Sequence, residues 1–104
     1  MAQFDVYLNP DPAQRERTPY LLDVQNSFLD RLASRVVVPL RRAEHAPLPM
    51  RELNPALEVQ GQALVLDTAA LAAIPARGLG QPVVSLRDAS GDVISALDVL
   101  FGGY

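Results

Sequence analysis

The apolar periodicity of this chain changes once, and that change constrains the fold more than any other feature. Upstream of residue 90, apolar residues come in short alternating or β-branched runs, broken by proline, glycine or polar stretches. Downstream, Val93, Ile94, Leu97, Leu100 and Phe101 recur at the spacing of one helix face. Strands come first and one helix last, with no βαβ alternation. The expected architecture is therefore mainly β, an antiparallel barrel or sheet carrying a C-terminal α-helix.

Gln3 to Leu8 alternates like a half-buried strand with Phe4, Val6 and Leu8 on one face. Asn9-Pro10-Asp11-Pro12 breaks it, because proline supplies no ladder N–H, and the polar stretch to Pro19 reads as a long hairpin loop. Tyr20 to Gln25 is a second strand and Ser34 to Leu40, with three consecutive valines, a buried third. Arg41 to Pro55 reads as irregular. Leu57 to Val59 and Ala63 to Asp67 flank Gln60-Gly61-Gln62 as a hairpin. Thr68 to Ile74 fits a helical turn ended by Pro75, Gly78-Leu79-Gly80 a turn, and Pro82 to Ser85 a short strand. Ser85 or Asp88 is the expected N-cap of the final helix, and Gly102-Gly103 its stop.

At 104 residues, about half of them apolar, the chain is one domain (1–104) with enough apolar side chains for a core, and a homodimer would bury more surface. No cysteine and a single histidine, His45, exclude a disulfide framework, a Cys-based metal site and a His cluster. P-loop, dinucleotide-binding and nucleophile-elbow motifs are absent, so neither a cofactor nor a catalytic residue is expected. The longest apolar stretch, Ala69 to Ile74, is far short of the roughly 20 residues a bilayer span needs. The start lacks a signal-peptide pattern, and the chain reads as soluble and cytoplasmic.

All nine basic residues are arginine, seven of them between Arg15 and Arg51, although the net charge is −3. That bias fits either a solvated surface or an acidic partner gripped by guanidinium forks. The C-terminal Leu100-Phe101-Gly102-Gly103-Tyr104 places two aromatics around a glycine pair. Either Tyr104 folds back into a groove or dimer seam, or it is a contact element.

Several runs, taken in order, resemble the CcdB toxins. They are Gln3-Phe4-Asp5-Val6-Tyr7, Leu22-Asp23-Val24-Gln25, Arg35-Val36-Val37-Val38-Pro39-Leu40, Arg51-Glu52-Leu53-Asn54-Pro55, Thr68 to Pro75 and Leu97 to Gly103. The resemblance implies the SH3-like barrel of the CcdB and MazF/Kid toxins, assembled as a homodimer. It implies one half of a type II toxin–antitoxin module of the plasmid-maintenance kind, not an enzyme. Such a toxin binds the A subunit of DNA gyrase and traps the cleaved DNA complex. A cognate CcdA-like antitoxin with an acidic, disordered segment neutralises it, and the pair binds operator DNA to repress its own transcription.

The family's gyrase-binding positions fall on Ser95, Asp98, Phe101, Gly102, Gly103 and Tyr104, with Asn26, Phe28 and Leu29 on a neighbouring loop. This chain departs from the family pattern in having Gly102 for a tryptophan, and Ser95 and Asp98 for asparagines. Arg15 and Arg17 of the Asn9–Pro19 loop, with Arg41 and Arg42, are the candidates for gripping the antitoxin. Two alternatives carry different expectations. One is a non-toxic homologue that retains only antitoxin binding. The other is an endoribonuclease of the same fold, for which Arg35, Arg41, Arg42 and His45 are the plausible polar groups.

Overall fold

Asp5–Leu8 (β1), Tyr20–Asp23 (β2), Ser34–Arg42 (β3), Ala56–Val59 (β4), Gln62–Leu66 (β5), Ala72–Pro75 (β6) and Val84–Ser85 (β7) precede a single helix, Ser90–Phe101 (α1). These elements come from a computed structural model that describes residues 1–46 and 50–102. The strands join antiparallel in the order β4-β5-β3-β2-β1-β7, with β6 also pairing to β3. One face of this single sheet buries Val6, Leu22, Val38, Leu40, Leu57, Val59, Leu64 and Leu66 against Val93 and Ala96 of α1. A sheet that wraps one core from end to end must curl, and the result is a half-barrel lidded by the helix.

β1 is shorter than its alternation predicts, because Phe4 takes a left-handed conformation (φ 73°) just before it. Side chains of this shape rarely adopt that region. Phe4 is held there by burial in the main core and by backbone bonds on both sides. Its N–H donates to the Asp23 carbonyl at 2.7 Å, and its carbonyl accepts from the Leu86 N–H at 2.8 Å. Leu8, expected to share the core face, is exposed, while Tyr7 is buried on the opposite face. There Tyr7, Leu21, Val37 and Leu79 form a second, smaller core with Ile74 packed against it.

β3 runs two residues beyond the predicted end, since Arg41 and Arg42 pair with Val65 and Leu64 of β5. Its other half pairs on the same edge with β6. The helical turn expected over Thr68 to Ile74 is limited to a 3-10 turn at Thr68–Ala70, and Ala72–Pro75 is a strand. Alanine-rich sequence favours a helix locally, and the ladder with Ser34 to Val37 overrides that preference. Pro39 lies where β5 gives way to β6 along β3. Its carbonyl accepts from the Asp67 N–H at 3.0 Å, and no ladder partner waits for the N–H it lacks. Gln60 and Gly61 (φ 49° and 84°) make the tight turn between β4 and β5, so Gln62 already belongs to the strand.

Across β2 and β3, Asp23 and Arg35 form a bidentate ion pair, both side chains fully buried. Nε–Oδ2 is 2.8 Å and Nη2–Oδ1 2.9 Å. Removing one partner strands a buried charge. Arg35→Met should cost about 3–5 kcal/mol in urea unfolding, and the double variant Asp23→Leu/Arg35→Met markedly less than the two single costs summed.

The Tyr7 hydroxyl has no hydrogen bond of normal geometry. Burial first, then the neighbouring Asp5 and Asp23 carboxylates, push its pKa from 10.0 to about 12. The folded state therefore holds the phenolic proton more tightly than the unfolded chain does. Its contribution to stability is complete below about pH 10 and is lost as pH rises towards 12. Unfolding curves of Tyr7→Phe should lack this part of the alkaline fall and match the parent's slope at neutral pH.

Candidate functional site

Three parts of the surface carry the residues singled out from sequence. The first is α1. A 3-10 turn at Arg87–Ala89 leads into it, and Ala89 stands at the N-cap with no side-chain cap bond. Neither expected cap holds: the Ser85 hydroxyl accepts from the Arg87 N–H at 3.2 Å, one turn early, and Asp88 is exposed within the 3-10 turn. Asp92 in the first turn still faces the positive end of the helix dipole.

Val93 and Ala96 are the buried pair of the helix, with Leu97 packed against the core. Ile94 and Phe101, expected on the core face, are 48% and 70% exposed. With Ser95 and Asp98, also exposed, they form an outward stripe that is apolar at its ends and polar in the middle. Val93 and Ala96 set the inward face of the helix, which leaves the bulkier Ile94 and Phe101 turned to solvent.

Gly102 ends the helix in a left-handed conformation (φ 75°), its N–H directed at the Asp98 and Val99 carbonyls. A Cβ there meets nothing within 4 Å, so the position needs glycine only for its backbone. Gly103 and Tyr104 lie outside the described residues.

The second part is the β2–β3 connection. Asn26 Oδ1 accepts from the Phe28 N–H at 2.9 Å and so caps a 3-10 turn, Ser27–Leu29. The turn points its apolar side chains outward: Phe28 is 93% exposed, and Leu29 and Leu32 are also exposed. The same connection is tied from within by Gln25 and the buried Arg35, both of which donate to the Leu29 carbonyl. Arg35 is thus a structural group beneath the loop, not part of an accessible polar groove.

The structure joins the loop and the helix through one segment of the N-terminal region. The Gln3 N–H donates to the Ser27 hydroxyl at 2.9 Å, and the Phe4 carbonyl accepts from Leu86, which leads into α1. Beside the loop, Ala33, Ala73, Ile74 and Arg77 line an apolar groove of about 710 Å³. Along α1, smaller hollows of about 310 and 380 Å³ share Arg51 and Glu52. They are bounded by Asp92 and Ser95 in one case and by Met50 and Val99 in the other. Asn54 anchors their outer wall, with Nδ2 donating to the Leu66 carbonyl at 3.0 Å and Oδ1 accepting from the Met50 N–H.

The third part is the arginine group. Arg41 pairs with Asp67 (2.7 Å) and donates to Thr18 Oγ1, while Arg42 donates to the Glu16 carbonyl and Gln62. Arg42 also bonds back to the Arg17 carbonyl through its N–H, so the Asn9–Pro19 loop is stapled across the end of β3. Arg15 turns away to the Asn9 carbonyl at 2.6 Å. Arg41, Arg42 and Arg17 are therefore neighbours, and among the described residues only Arg17 of the four has no side-chain hydrogen bond or ion pair. His45 is exposed in a 3-10 turn at Ala43–His45.

The buried network of Asp23, Gln25 and Arg35 is what sequence reading missed. Its signal was a pair of charges embedded in strand-like apolar runs, Leu22-Asp23-Val24 and Arg35-Val36-Val37. Charges in such runs are ordinarily assigned to the solvent face.

These features define a small half-barrel domain lidded by a terminal helix, presenting apolar residues on a loop and on that helix. The family model described as CcdB protein matches residues 3–103, and the chain belongs to the CcdB family. Membership places it among the toxins of toxin–antitoxin modules. No curated protein matches the sequence. Among solved structures it is similar to an endoribonuclease in complex with its cognate antitoxin from Mycobacterial species. That match has 14% identity and a TM-score of 0.72, and it covers 98% of this chain and 95% of that one. At that identity the likeness speaks for the fold alone.

Because the conformation of Gly102, not crowding, sets its cost of replacement, Gly102→Ala should destabilise by about 1 kcal/mol. Thermal unfolding followed by circular dichroism should show that loss, with fraying confined to the last helical turn.

Proposed function

We propose that the chain is a toxin that binds the DNA gyrase A subunit and traps the cleaved DNA complex. The observation that carries this reading is the family match over residues 3–103, combined with exposed aromatics at two of the family's contact positions, Phe28 and Phe101. Ser95 and Asp98 lie beside Phe101 on the same outward stripe of α1. Gly103 and Tyr104 complete the proposed contact set by family correspondence. The toxin acts in the cytoplasm as a homodimer without a cofactor, and among the described residues no helix is long and apolar enough to cross a membrane.

A cognate antitoxin neutralises it, and the pair represses its own operon at operator DNA. Arg17 is the member of the arginine group best placed to pair with an acidic antitoxin segment. Arg15, Arg41 and Arg42 set the loop that carries it.

The solved endoribonuclease of similar fold raises a second reading, RNA cleavage. Three of the groups it would need are committed elsewhere: Arg35 to a buried ion pair, Arg41 to Asp67, and Arg42 to Glu16 and Gln62. The gyrase reading is therefore preferred. Purified chain should increase gyrase-cleaved DNA in vitro and leave RNA intact. Phe101→Ala should weaken gyrase binding by about 2 kcal/mol or more, as expected for an aromatic anchor. Gly102→Trp should strengthen it. RNA cleavage without gyrase trapping would reverse the order of the two readings. Antitoxin binding with neither activity would identify a non-toxic homologue.

A further inference from the structure

The 3-10 turn at Ser27–Leu29 has an unusual balance of exposure and restraint. Phe28 is 93% exposed, so no side-chain packing fixes its direction. Hydrogen bonds restrain the turn, and three donors converge on one acceptor, the Leu29 carbonyl. They are Gln25 Nε2 at 3.2 Å, Arg35 Nη1 at 3.4 Å and the Leu32 N–H at 3.2 Å.

Gln25 is the hub beneath this acceptor. Its N–H donates to Asp23 Oδ1 at 2.9 Å, its carbonyl accepts from Arg35 Nη2 at 3.1 Å, and its Oε1 accepts from the Val36 N–H at 2.9 Å. Backbone and side chain are both engaged, so the amide nitrogen has one direction available, towards Leu29. Arg35 is fixed in turn by Asp23, with no freedom to follow a moving loop.

We propose that Gln25 is a positioning residue for partner binding, holding the Leu29 carbonyl with Arg35 so that the backbone carrying Phe28 is already in place when the partner arrives. The inference rests on the gyrase reading for the partner's identity, and on the geometry for the clamp. A connection that served only to join β2 and β3 gains nothing from displaying Phe28, Leu29 and Leu32 to water, because exposed apolar groups are unfavourable unless covered. An apolar side chain carried on a restrained turn suits a concave apolar pocket on the partner. Ordering it before contact removes an entropic cost from association.

The test compares the full chain with Gln25→Met, which removes both side-chain bonds, and with Gln25→Glu. The second keeps the acceptor for Val36 but loses the donor to Leu29, at nearly identical volume. Two readouts are taken where every variant is folded: amide hydrogen exchange over residues 26–32, and affinity for the purified gyrase A subunit. Each variant is also made in a Phe28→Ala background. Faster exchange confined to the loop is expected, with an affinity loss of about tenfold that disappears when Phe28 is already alanine.

Unchanged loop exchange overturns the clamp, whatever happens with gyrase. An equal affinity loss with and without Phe28 overturns the positioning role and leaves a structural one. If the parent chain does not bind gyrase A, the target assignment fails and takes the partner half of the inference with it. The exchange measurement still decides the clamp.

Discussion

A bidentate ion pair with no access to water, Asp23 to Arg35, is the interaction on which the rest depends. Dehydrating two charges costs several kcal/mol each, and mutual attraction offsets this only where the remaining donors and acceptors are also satisfied. Here they are. Asp23 also accepts the Gln25 N–H, and Arg35 spends its other nitrogen contacts on the Gln25 and Leu29 carbonyls. The pair therefore does two jobs with one set of bonds. It locks β2 to β3 at the middle of the sheet, and it shapes the connection between them.

β3 is the other organising element, because both layers of apolar packing run through it. Val38 and Leu40 face the main core beneath α1, whereas Val37 faces Tyr7, Leu21 and Leu79 on the far side. Burial on both faces explains the run Val36-Val37-Val38, which has no polar alternation. One edge of β3 is shared in succession by β6 and β5, and Pro39 marks the change of partner. Proline in a central strand ordinarily argues against a strand. It is accommodated here at the one place along that edge where the ladder has no use for its N–H.

Strand identity was legible wherever β-branched or alternating residues dominate, and the Gln60-Gly61 turn announced its hairpin. The helix was legible from its spacing, but its orientation was not. Counting large apolar side chains placed Ile94 and Phe101 inward, whereas the buried face is set by Val93 and the small Ala96, and the two larger residues lie outside it. β6 was illegible because Ala72 and Ala73 carry a helical preference, and only pairing with β3 makes them a strand. Of the proposed site, the exposed aromatics could be found by resemblance. The buried Arg35 could not be separated from eight other arginines, since sequence gives charge without depth.

The pairing of β1 with β7 has a consequence for biosynthesis. A chain leaves the ribosome N-terminus first, and domains fold as units once their parts are available. Here Asp5 and Val6 wait for Ser85 and Val84, and Phe4 waits for the Leu86 N–H as well as for the apolar face of α1. Until that helix emerges, the main core is open on one side and the kink at Phe4 has little to hold it. The loop that displays Phe28 is tied to the same segment through Gln3 and Ser27. The surface proposed to meet the partner is thus completed only once synthesis has passed α1.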